Sequence, residues 1–429
     1  MRATDFIQAK RDGRNHGADE LIEFVRELTA GEIPDYQVAA WLMAVYFQGL
    51  SDHETAVMTE ALADSGDRID LSGLPHTVDK HSTGGVGDKT TLVLAPLVAA
   101  LGATVAKVSG RALGHTGGTI DKLESIVGFR TDLSDEEFLR LASDVGVVIA
   151  CQSKDLAPAD GVIYALRNAT ATVESLPLIA ASVMSKKLAG GAASILLDVK
   201  VGRGTFMTDL QQGRTLARVM RTIGRRAGRE VRVVLSSMDQ PLGWAVGHAL
   251  EVREALATLE GEGPEDLRSL VTVLAAQLLE ASDLDADPER IEAALDDGSA
   301  RAKFASWIEG QGGDLNAEGS LALAPGEATL TAWRDGVVHD LDAMLVGRAL
   351  GPLGGARSRK GDAIDLGVGV RLQAKIGDTV EEGQPLATVV HRDGRGADEA
   401  LAELGRAFVI ADHTPQPYRL VLDVLRAGG

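Results

Sequence analysis

The fold of this chain is best predicted from residues Asp79–Glu124, which read DKHSTGGVGDKTTLVLAPLVAALGATVAKVSGRALGHTGGTIDKLE. Three glycine-rich turns lie in this stretch, and each also contains Ser, Thr, Lys or His. They are His81–Asp88, Ser109–Gly110 and Gly114–Thr119. Glycines let backbone N–H groups come close to an anion, hydroxyl groups add donors, and a helix N-terminus adds a positive dipole. The stretch therefore predicts a phosphate site built from several turns.

Regular structure is predicted between these turns. Thr91–Leu101 is almost wholly apolar and indicates a buried helix, and Thr104–Val108 indicates a short strand. The order strand, turn, helix, strand, turn is typical of a parallel sheet whose turns meet at one edge. Glycines that only make tight turns are the alternative. One turn would favour that alternative, but three turns with interleaved donors favour a ligand site.

A P-loop for a nucleoside triphosphate is the obvious rival. That motif needs a glycine directly before Lys-Ser/Thr, whereas this chain has Asp88 between Gly87 and Lys89. A carboxylate at this position would repel the phosphates that the loop has to hold. The P-loop interpretation is therefore excluded.

Composition predicts a globular protein of two or three domains. The chain has 429 residues, of which 45% are hydrophobic and 24% charged, and its net charge is -19. This balance argues against a nucleic-acid partner, whose phosphates require a basic surface. A small anionic substrate remains compatible because basic residues gather in the stretch quoted above. They are Lys80, Lys89, Lys107, Arg111 and Lys122.

The sequence also predicts a cytoplasmic location and no membrane partner. The single cysteine, Cys151, cannot form an intrachain disulfide, and its place after an apolar run indicates a buried, inert thiol. The N-terminus lacks the apolar core of a signal peptide. The longest apolar run, Leu92–Val105, is interrupted by Pro96 and Gly102 and is too short to span a bilayer.

The remainder of the chain predicts an α/β fold. Residues 1–64 show helical periodicity, and residues 190–235 alternate between strand and helix patterns, as in a mostly parallel sheet flanked by helices. Beyond about residue 329, short β-like runs with glycine turns indicate a C-terminal α+β domain. No biotin- or lipoyl-accepting lysine motif accompanies them. The predicted architecture is a helical domain, a larger mixed α/β domain and this C-terminal domain.

At KHSTGGVGD and SGRALGHTGGTIDKLES the chain resembles the thymidine/pyrimidine-nucleoside phosphorylase family, and the likeness covers essentially its whole length. The resemblance implies phosphorolysis of pyrimidine nucleosides with inorganic phosphate as co-substrate, no organic cofactor, and a homodimer that contacts through its N-terminal helices. It also implies three domains: 1–65 with 159–189 as the helical, pyrimidine-binding side, 76–155 with 190–328 as the phosphate-binding side, and 329–429.

Site residues follow from the same resemblance. It assigns phosphate to Lys80, His81, Ser82, Thr91, Lys107, Val108, Ser109 and Thr119. It assigns the pyrimidine to Arg167, Ser182 and Lys186, and the last two are four residues apart on one helix face. His81 is the candidate general acid, with simple donation to phosphate as the alternative. His115 is expected to cap its own glycine turn.

Two further features bear on substrate and ion. A lysine at position 107 is similar to the family members that accept several pyrimidine nucleosides, and not to the thymidine-selective members. Both uridine and thymidine are therefore expected as substrates. The broad members bind a monovalent cation, and the matching positions are Gly87, Lys89, Leu242, Ala245 and Glu254. A potassium ion is expected there, although the ammonium group of Lys89 would lie close to it. Asn168 and Arg203 depart from the family pattern.

Several alternatives remain open at this point. Lys89 and Arg111 are interpreted as solvated surface charges, and Arg167 alone would be interpreted in the same way. A thymidine-selective phosphorylase and an anthranilate-type phosphoribosyltransferase are the rival enzymes. A nucleoside-binding protein without turnover is the rival outside enzymes, and the presence of His81, Arg167 and Lys186 together argues against it.

Overall fold

The computed structural model describes residues 2–111, 117–357, 359 and 361–425. Numbered in chain order, the helices are α1 Ala3–Arg11, α2 Ala18–Thr29, α3 Asp35–Gln48, α4 Asp52–Ala63, α5 Thr90–Ala100, α6 Thr119–Leu123, α7 Asp135–Asp144, α8 Pro158–Ala169, α9 Leu176–Ala189, α10 Leu210–Arg226, α11 His248–Leu259, α12 Glu265–Ala281, α13 Pro288–Asp296, α14 Ser299–Gly310, α15 Ala343–Arg348, α16 Leu350–Leu353 and α17 Ala397–Ala407. The strands are β1 Thr77–Ser82, β2 Thr104–Ser109, β3 Val147–Cys151, β4 Ser194–Val201, β5 Glu230–Ser237, β6 Ala245–Val246, β7 Gly326–Thr331, β8 Gly336–Leu341, β9 Gly369–Leu372, β10 Thr379–Val380, β11 Pro385–His391, β12 Phe408–Ala411 and β13 Val421–Leu425.

A six-stranded sheet in the order β13-β5-β4-β1-β2-β3 forms the centre of the molecule. Every neighbouring pair is parallel except β13 with β5. Every residue of β4 is buried, as expected for a strand covered on both faces. Because the strands are parallel, the carboxyl ends of β1 and β2 share one edge of the sheet, and their glycine turns start there. The predicted mostly parallel sheet is confirmed.

The apolar helix and strand of the quoted stretch are also confirmed. Helix α5 is buried along nearly its whole length, and Pro96 lies inside it. Its leucines and valines belong to the largest hydrophobic cluster, together with α11, α12 and α14. Helices all around leave no face of α5 for water, which explains the absence of a polar stripe in its sequence.

A helical bundle stands beside the sheet. Helices α1–α4 share a hydrophobic cluster with α8 and α9, and the rings of Phe6, Phe24 and Trp41 pack against one another inside it. Ser51 and Glu54 form a capping box at the start of α4, and Glu54 also accepts from Lys10 Nζ at 2.7 Å in a buried ion pair. Helix α9 has residues in this cluster and in the cluster that covers β4 and β5, so it connects the bundle to the sheet.

The C-terminal part contains two antiparallel sheets, β10-β8-β12 and β6-β9-β11-β7. Strands are exchanged between this part and the central domain. Residues 245–246 form β6 and pair with β9, while residues 421–425 form β13 and pair with β5 in the central sheet. Residues 421–425 fall within the predicted C-terminal range 329–429, and their strand pairs with the central sheet. A strand of two or five residues fits any open sheet edge, so sequence alone does not say which edge it joins.

Among the described helices, none combines the length and the apolar character needed to cross a bilayer.

Candidate active site

The turn that follows β1 is organised around Asp88. Its carboxylate accepts from Ser82 Oγ and from Thr90 Oγ1, the latter at 2.6 Å. Burial alone would raise the pKa of Asp88, but the ammonium groups of Lys200, Lys80 and Lys122 outweigh burial and hold it well below the usual range. The aspartate that excludes a P-loop is therefore an ionised residue that holds the turn.

Lys80 lies at the centre of this network. Its side chain is 4% exposed, and Nζ lies 2.5 Å from Thr90 Oγ1 and 3.3 Å from the Asp198 carboxylate. Asp198 also pairs with Lys200 at 2.7 Å. The side chains of Lys80 and Lys200 and the carboxylates of Asp88 and Asp198 thus meet below the glycine turn, so that each buried charge has a partner of opposite sign.

The other residues predicted to bind phosphate lie at element ends. Thr91 is in the first turn of α5, Val108 and Ser109 end β2, and Thr119 opens α6. Val108, Ser109 and Thr119 are half-buried, so they line an opening rather than the core. The segment 112–116 of the third glycine turn, with His115, lies outside the described residues. The proposed cap by His115 stays a prediction.

His81 sits among four lysines. Burial lowers its pKa well below the ordinary value, and the ammonium groups of Lys187, Lys107, Lys80 and Lys186 lower it further. The imidazole is therefore neutral near pH 7. A neutral ring can still donate one N–H, and a bound phosphate dianion would raise the pKa by offsetting the surrounding positive charge.

Lys107 is turned into the protein instead of into an opening. Its ammonium donates to the Lys80 carbonyl oxygen and lies 3.6 Å from the Asp79 carboxylate, with 5% of the side chain exposed. Burial and the neighbouring Lys187 lower the pKa of Lys107 to about 7. In this conformation Lys107 holds β2 against β1.

On the helical side, Asp160 accepts hydrogen bonds from both Ser182 and Lys186. Its Oδ2 accepts from Ser182 Oγ at 3.1 Å and from the Lys186 ammonium. Lys186 also donates to the Ser182 carbonyl oxygen and hydroxyl, each at 3.0 Å. Asp160 is 1% exposed, whereas 26% of the Lys186 side chain is exposed. Lys186 therefore presents a fixed positive charge at the surface of α9, close enough to His81 to lower its pKa.

Arg167 lies differently from the other predicted residues. It is 1% exposed, and its guanidinium donates to the carbonyl oxygens of Thr172, Val173 and Leu178. It therefore holds the connection between α8 and α9. The interpretation as a solvated surface arginine is wrong. Three of the five N–H donors are used in these hydrogen bonds, and the contact of the other two with a pyrimidine stays a prediction.

Sequence reasoning missed Asp160 and Lys187. Lys187 Nζ donates to Asp79 Oδ2 at 2.6 Å and to the Val108 carbonyl oxygen at 3.1 Å. The available signal for Lys187 was the Lys-Lys pair at 186–187, two charges in a helix that has no other charged residue. Asp160 lies in the first turn of α8, where an acidic residue is ordinary, and only the spatial contact distinguishes it.

The five positions predicted to surround a cation do come together, but an ammonium group occupies their centre. Lys89 Nζ donates to the carbonyl oxygens of Leu242 and Ala245, each at 2.8 Å, and to the carboxylate of Glu254. The Lys89 side chain is 0% exposed. The interpretation of Lys89 as a solvated surface charge is therefore wrong, and these residues as arranged do not fit a potassium ion. Arg111 is 42% exposed and pairs with Glu124.

Comparison with protein families gives three matches along the chain. The helical bundle domain of a glycosyl transferase family matches residues 4–66, and the a/b domain of that family matches residues 74–301. The pyrimidine nucleoside phosphorylase C-terminal domain matches residues 337–411.

Full-length relatives agree with these matches. Proteins named pyrimidine-nucleoside phosphorylase from Staphylococcus haemolyticus and Bacillus subtilis are each 47% identical over 97% of this chain and 98% of their own length. The counterpart from Geobacillus stearothermophilus is 48% identical over 91% of this chain and 92% of its own. The crystal structure of anthranilate phosphoribosyltransferase from Thermus thermophilus has a similar fold. Its TM-score is 0.59 at 19% identity, over 72% of this chain and 99% of that one.

A helical bundle beside a mostly parallel sheet with glycine turns at one edge, matched by these families, defines a glycosyl transferase of the pentosyl-transferring type. Within that class, the chain belongs to the pyrimidine-nucleoside phosphorylase family.

Proposed function

We propose that this chain catalyses reversible phosphorolysis of pyrimidine nucleosides in nucleoside salvage, with uridine, thymidine and deoxyuridine as substrates. The observation that carries the proposal is the buried ion pair between Lys187 of α9 and Asp79 of β1, at 2.6 Å, which holds the helix with Ser182 and Lys186 beside the strand with Lys80 and His81. A nucleoside bound between them would have its base beside α9 and its sugar beside the glycine turns. Relatives that carry the name of this activity over nearly the whole length of the chain support the same conclusion.

In the proposed reaction a phosphate oxygen forms a bond to C1′ while the bond from C1′ to the pyrimidine nitrogen breaks. The bonding electrons leave with the base, which becomes anionic unless it is protonated. Phosphate dianion is nucleophilic without a general base, so positioning and charge stabilisation supply the catalysis. The products are the free base and ribose or deoxyribose 1-phosphate.

The roles of individual residues follow from this step. We assign the phosphate to Lys80, His81, Ser82, Thr91, Val108, Ser109 and Thr119, and the base to Arg167, Ser182 and Lys186. Lys107, which was predicted to bind phosphate, is turned into the protein and is assigned the role of holding β2 against β1. The exposed Lys186 ammonium, oriented by buried Asp160, can stabilise negative charge on the departing pyrimidine. His81 acquires a proton more readily once phosphate is bound, which suits it to donate to the pyrimidine O2.

We also propose that the cleft closes between the helical part, 1–65 with 159–189, and the phosphate part, 76–155 with 190–328. Closure would exclude water, which otherwise competes with phosphate for C1′. The C-terminal residues 329–429 are assigned a structural role. Arg203 supports this role, since its guanidinium pairs with Asp340 and so joins the turn after β4 to β8.

A cytoplasmic homodimer is the proposed assembly. Helices α2 and α3 expose large hydrophobic side chains, with Ile22 51%, Tyr36 74% and Phe47 76% accessible. Exposed apolar side chains on these helices support the N-terminal helices as the proposed subunit contact. The lone Cys151 fits a reducing compartment.

The rival phosphoribosyltransferase shares the fold but would require carboxylates for a magnesium ion on pyrophosphate. Asp88 is a carboxylate of the first glycine turn, and it already accepts hydrogen bonds from Ser82 and Thr90. An ultraviolet assay separates the two functions. We expect uridine to be consumed with inorganic phosphate alone. Consumption or synthesis that requires magnesium and phosphoribosyl pyrophosphate would contradict the proposal.

A further inference from the structure

The ammonium group of Lys89 occupies a cage of oxygens that the backbone builds for a cation. The carbonyl oxygens of Leu242 and Ala245 accept at 2.8 Å each, and Glu254 Oε2 accepts at 2.5 Å. An ammonium has three N–H donors, and this cage offers three acceptors. The group is therefore fully hydrogen-bonded, which is what a buried charge requires.

The surrounding backbone fits closely around this group. Gly243 has φ +69°, and a Cβ there would lie 2.2 Å from Glu254 Oε2 and 2.8 Å from Lys89 Nζ. Gly87 has φ +71°, and a Cβ there would lie 2.5 Å from the Leu242 carbonyl oxygen. Glycine is thus required at both positions by conformation and by space. The carboxylate of Glu254 is fixed from its other side by the N–H groups of Trp244 and Ala245, at 2.9 and 3.1 Å.

Charge around the cage is already balanced. Lys89 pairs with Glu254, and the adjacent Lys375 pairs with Asp266, so two ammonium groups face two carboxylates. Lys375 lies near enough that Lys89, besides burial, lowers its pKa. A metal ion added to the same oxygens would face Lys89 at contact distance with no further carboxylate to offset it. Both volume and charge exclude a free ion while the ammonium stays in place.

We propose that Lys89 is a built-in substitute for a bound monovalent cation, and that this protein needs no potassium. The substitution fastens the glycine turn at 83–89 to residues 242–245 and to α11. Lys89 is followed by Thr90, which contacts Lys80 and Asp88. By fixing the position of Thr90, Lys89 also fixes these residues at the phosphate edge. Lys89 is a positioning residue. Its effect on turnover rests on the proposed phosphorolysis, but the replacement of the ion does not.

The first experiment uses the wild-type protein. Its thermal midpoint and its phosphorolysis rate are measured in potassium chloride and in tetramethylammonium chloride at equal ionic strength. We expect both quantities to be the same in the two salts. A midpoint or rate that rises with potassium and saturates would show an ion bound despite Lys89 and would overturn the proposal. The midpoint decides this even if no nucleoside is cleaved.

Two variants test the mechanism of substitution. Lys89→Thr shortens the side chain and leaves the oxygens free, whereas Lys89→Met removes the charge and fills the same space. We expect Lys89→Thr to lose stability and about tenfold in kcat/KM in tetramethylammonium and to recover both in potassium. Lys89→Met should stay impaired in both salts. A Lys89→Thr protein that folds but ignores potassium would overturn the proposal.

Lys375→Thr is the matched control. It removes a neighbouring buried ammonium that pairs with Asp266 and does not contact the three cage oxygens. We expect any loss of stability in this variant to be insensitive to potassium. Rescue of Lys375→Thr by potassium equal to that of Lys89→Thr would assign the effect to general charge replacement and contradict the specific cage. If Lys89→Thr does not fold, the wild-type comparison alone decides.

Discussion

Lys187 Nζ donates to Asp79 Oδ2 at 2.6 Å and thereby joins α9 to β1. Helix α9 carries Ser182 and Lys186, and β1 carries Lys80 and His81. Both partners are buried, with side chains 4% and 2% exposed. This ion pair therefore fixes the proposed base-binding helix to the proposed phosphate-binding strand, and the relative placement of the two sets of residues depends on it.

Lys187→Met should therefore destabilise the fold by about 3 kcal/mol, because it leaves the Asp79 charge buried with only the more distant Lys107 beside it. Denaturant unfolding of the two proteins measures the difference. Lys154→Met, at an exposed position, is the control and should change stability by less than about 0.5 kcal/mol. A loss for Lys187→Met as small as that of the control would contradict a structural role.

Stability should depend on pH through His81. Its pKa in the folded protein is lowered, so the unfolded chain binds the proton first as the pH falls below about 6.5. The contribution is complete above that pH and is lost below it. Between pH 7.5 and 5.5 the wild type should lose roughly 1.4 kcal/mol more than His81→Gln. Equal losses in the two proteins would show that the imidazole is not held neutral.

Lys186 should affect turnover more than folding. Lys186→Met removes the exposed charge proposed to stabilise the departing base, so kcat/KM for uridine should fall roughly 100- to 1000-fold. Because Lys186 contacts none of the residues assigned to phosphate, the KM for phosphate should change little. Lys186→Arg keeps the charge and should retain more activity. A Lys186→Met enzyme with normal kcat/KM would remove this lysine from the mechanism.

Both uridine and thymidine should be substrates. The expectation comes from Lys107, whose ammonium is held by the Lys80 carbonyl oxygen and by Asp79. If Lys107 determines breadth, it acts through the position of β1 and not by a free charge in the cleft. Lys107→Met should then reduce kcat/KM for both nucleosides together. A selective loss of uridine cleavage would instead indicate direct contact with the ribose 2′-hydroxyl.

Periodicity and glycine spacing predicted much of the fold. The buried helix α5 and the strands β2, β4 and β5 follow from local patterns that tertiary contacts did not overrule. The partner of β13 could not be predicted, since Val421–Leu425 suits any antiparallel edge. Pairing of distant short strands depends on the whole fold.

The candidate site was predictable in its residue types and less so in its contacts. Gly-Ser-Thr turns with lysines indicated an anion site before any contact was known. The burial of Lys89 could not be predicted from the sequence, because a lysine in a polar turn is usually solvated. Its burial depends on hydrogen bonds to the carbonyl oxygens of residues 242 and 245, which are distant in the sequence. Arg167 likewise satisfies three backbone carbonyls that no sequence spacing identifies.

The most direct test of the central claim is the stoichiometry of the reaction. Thymidine is incubated with the enzyme and inorganic phosphate, and phosphorus NMR follows the phosphate while chromatography follows free thymine. Phosphorolysis predicts one deoxyribose 1-phosphate formed for each thymine released, and no release without phosphate. Thymine released with no sugar phosphate, or at the same rate without phosphate, would show hydrolysis and contradict the account.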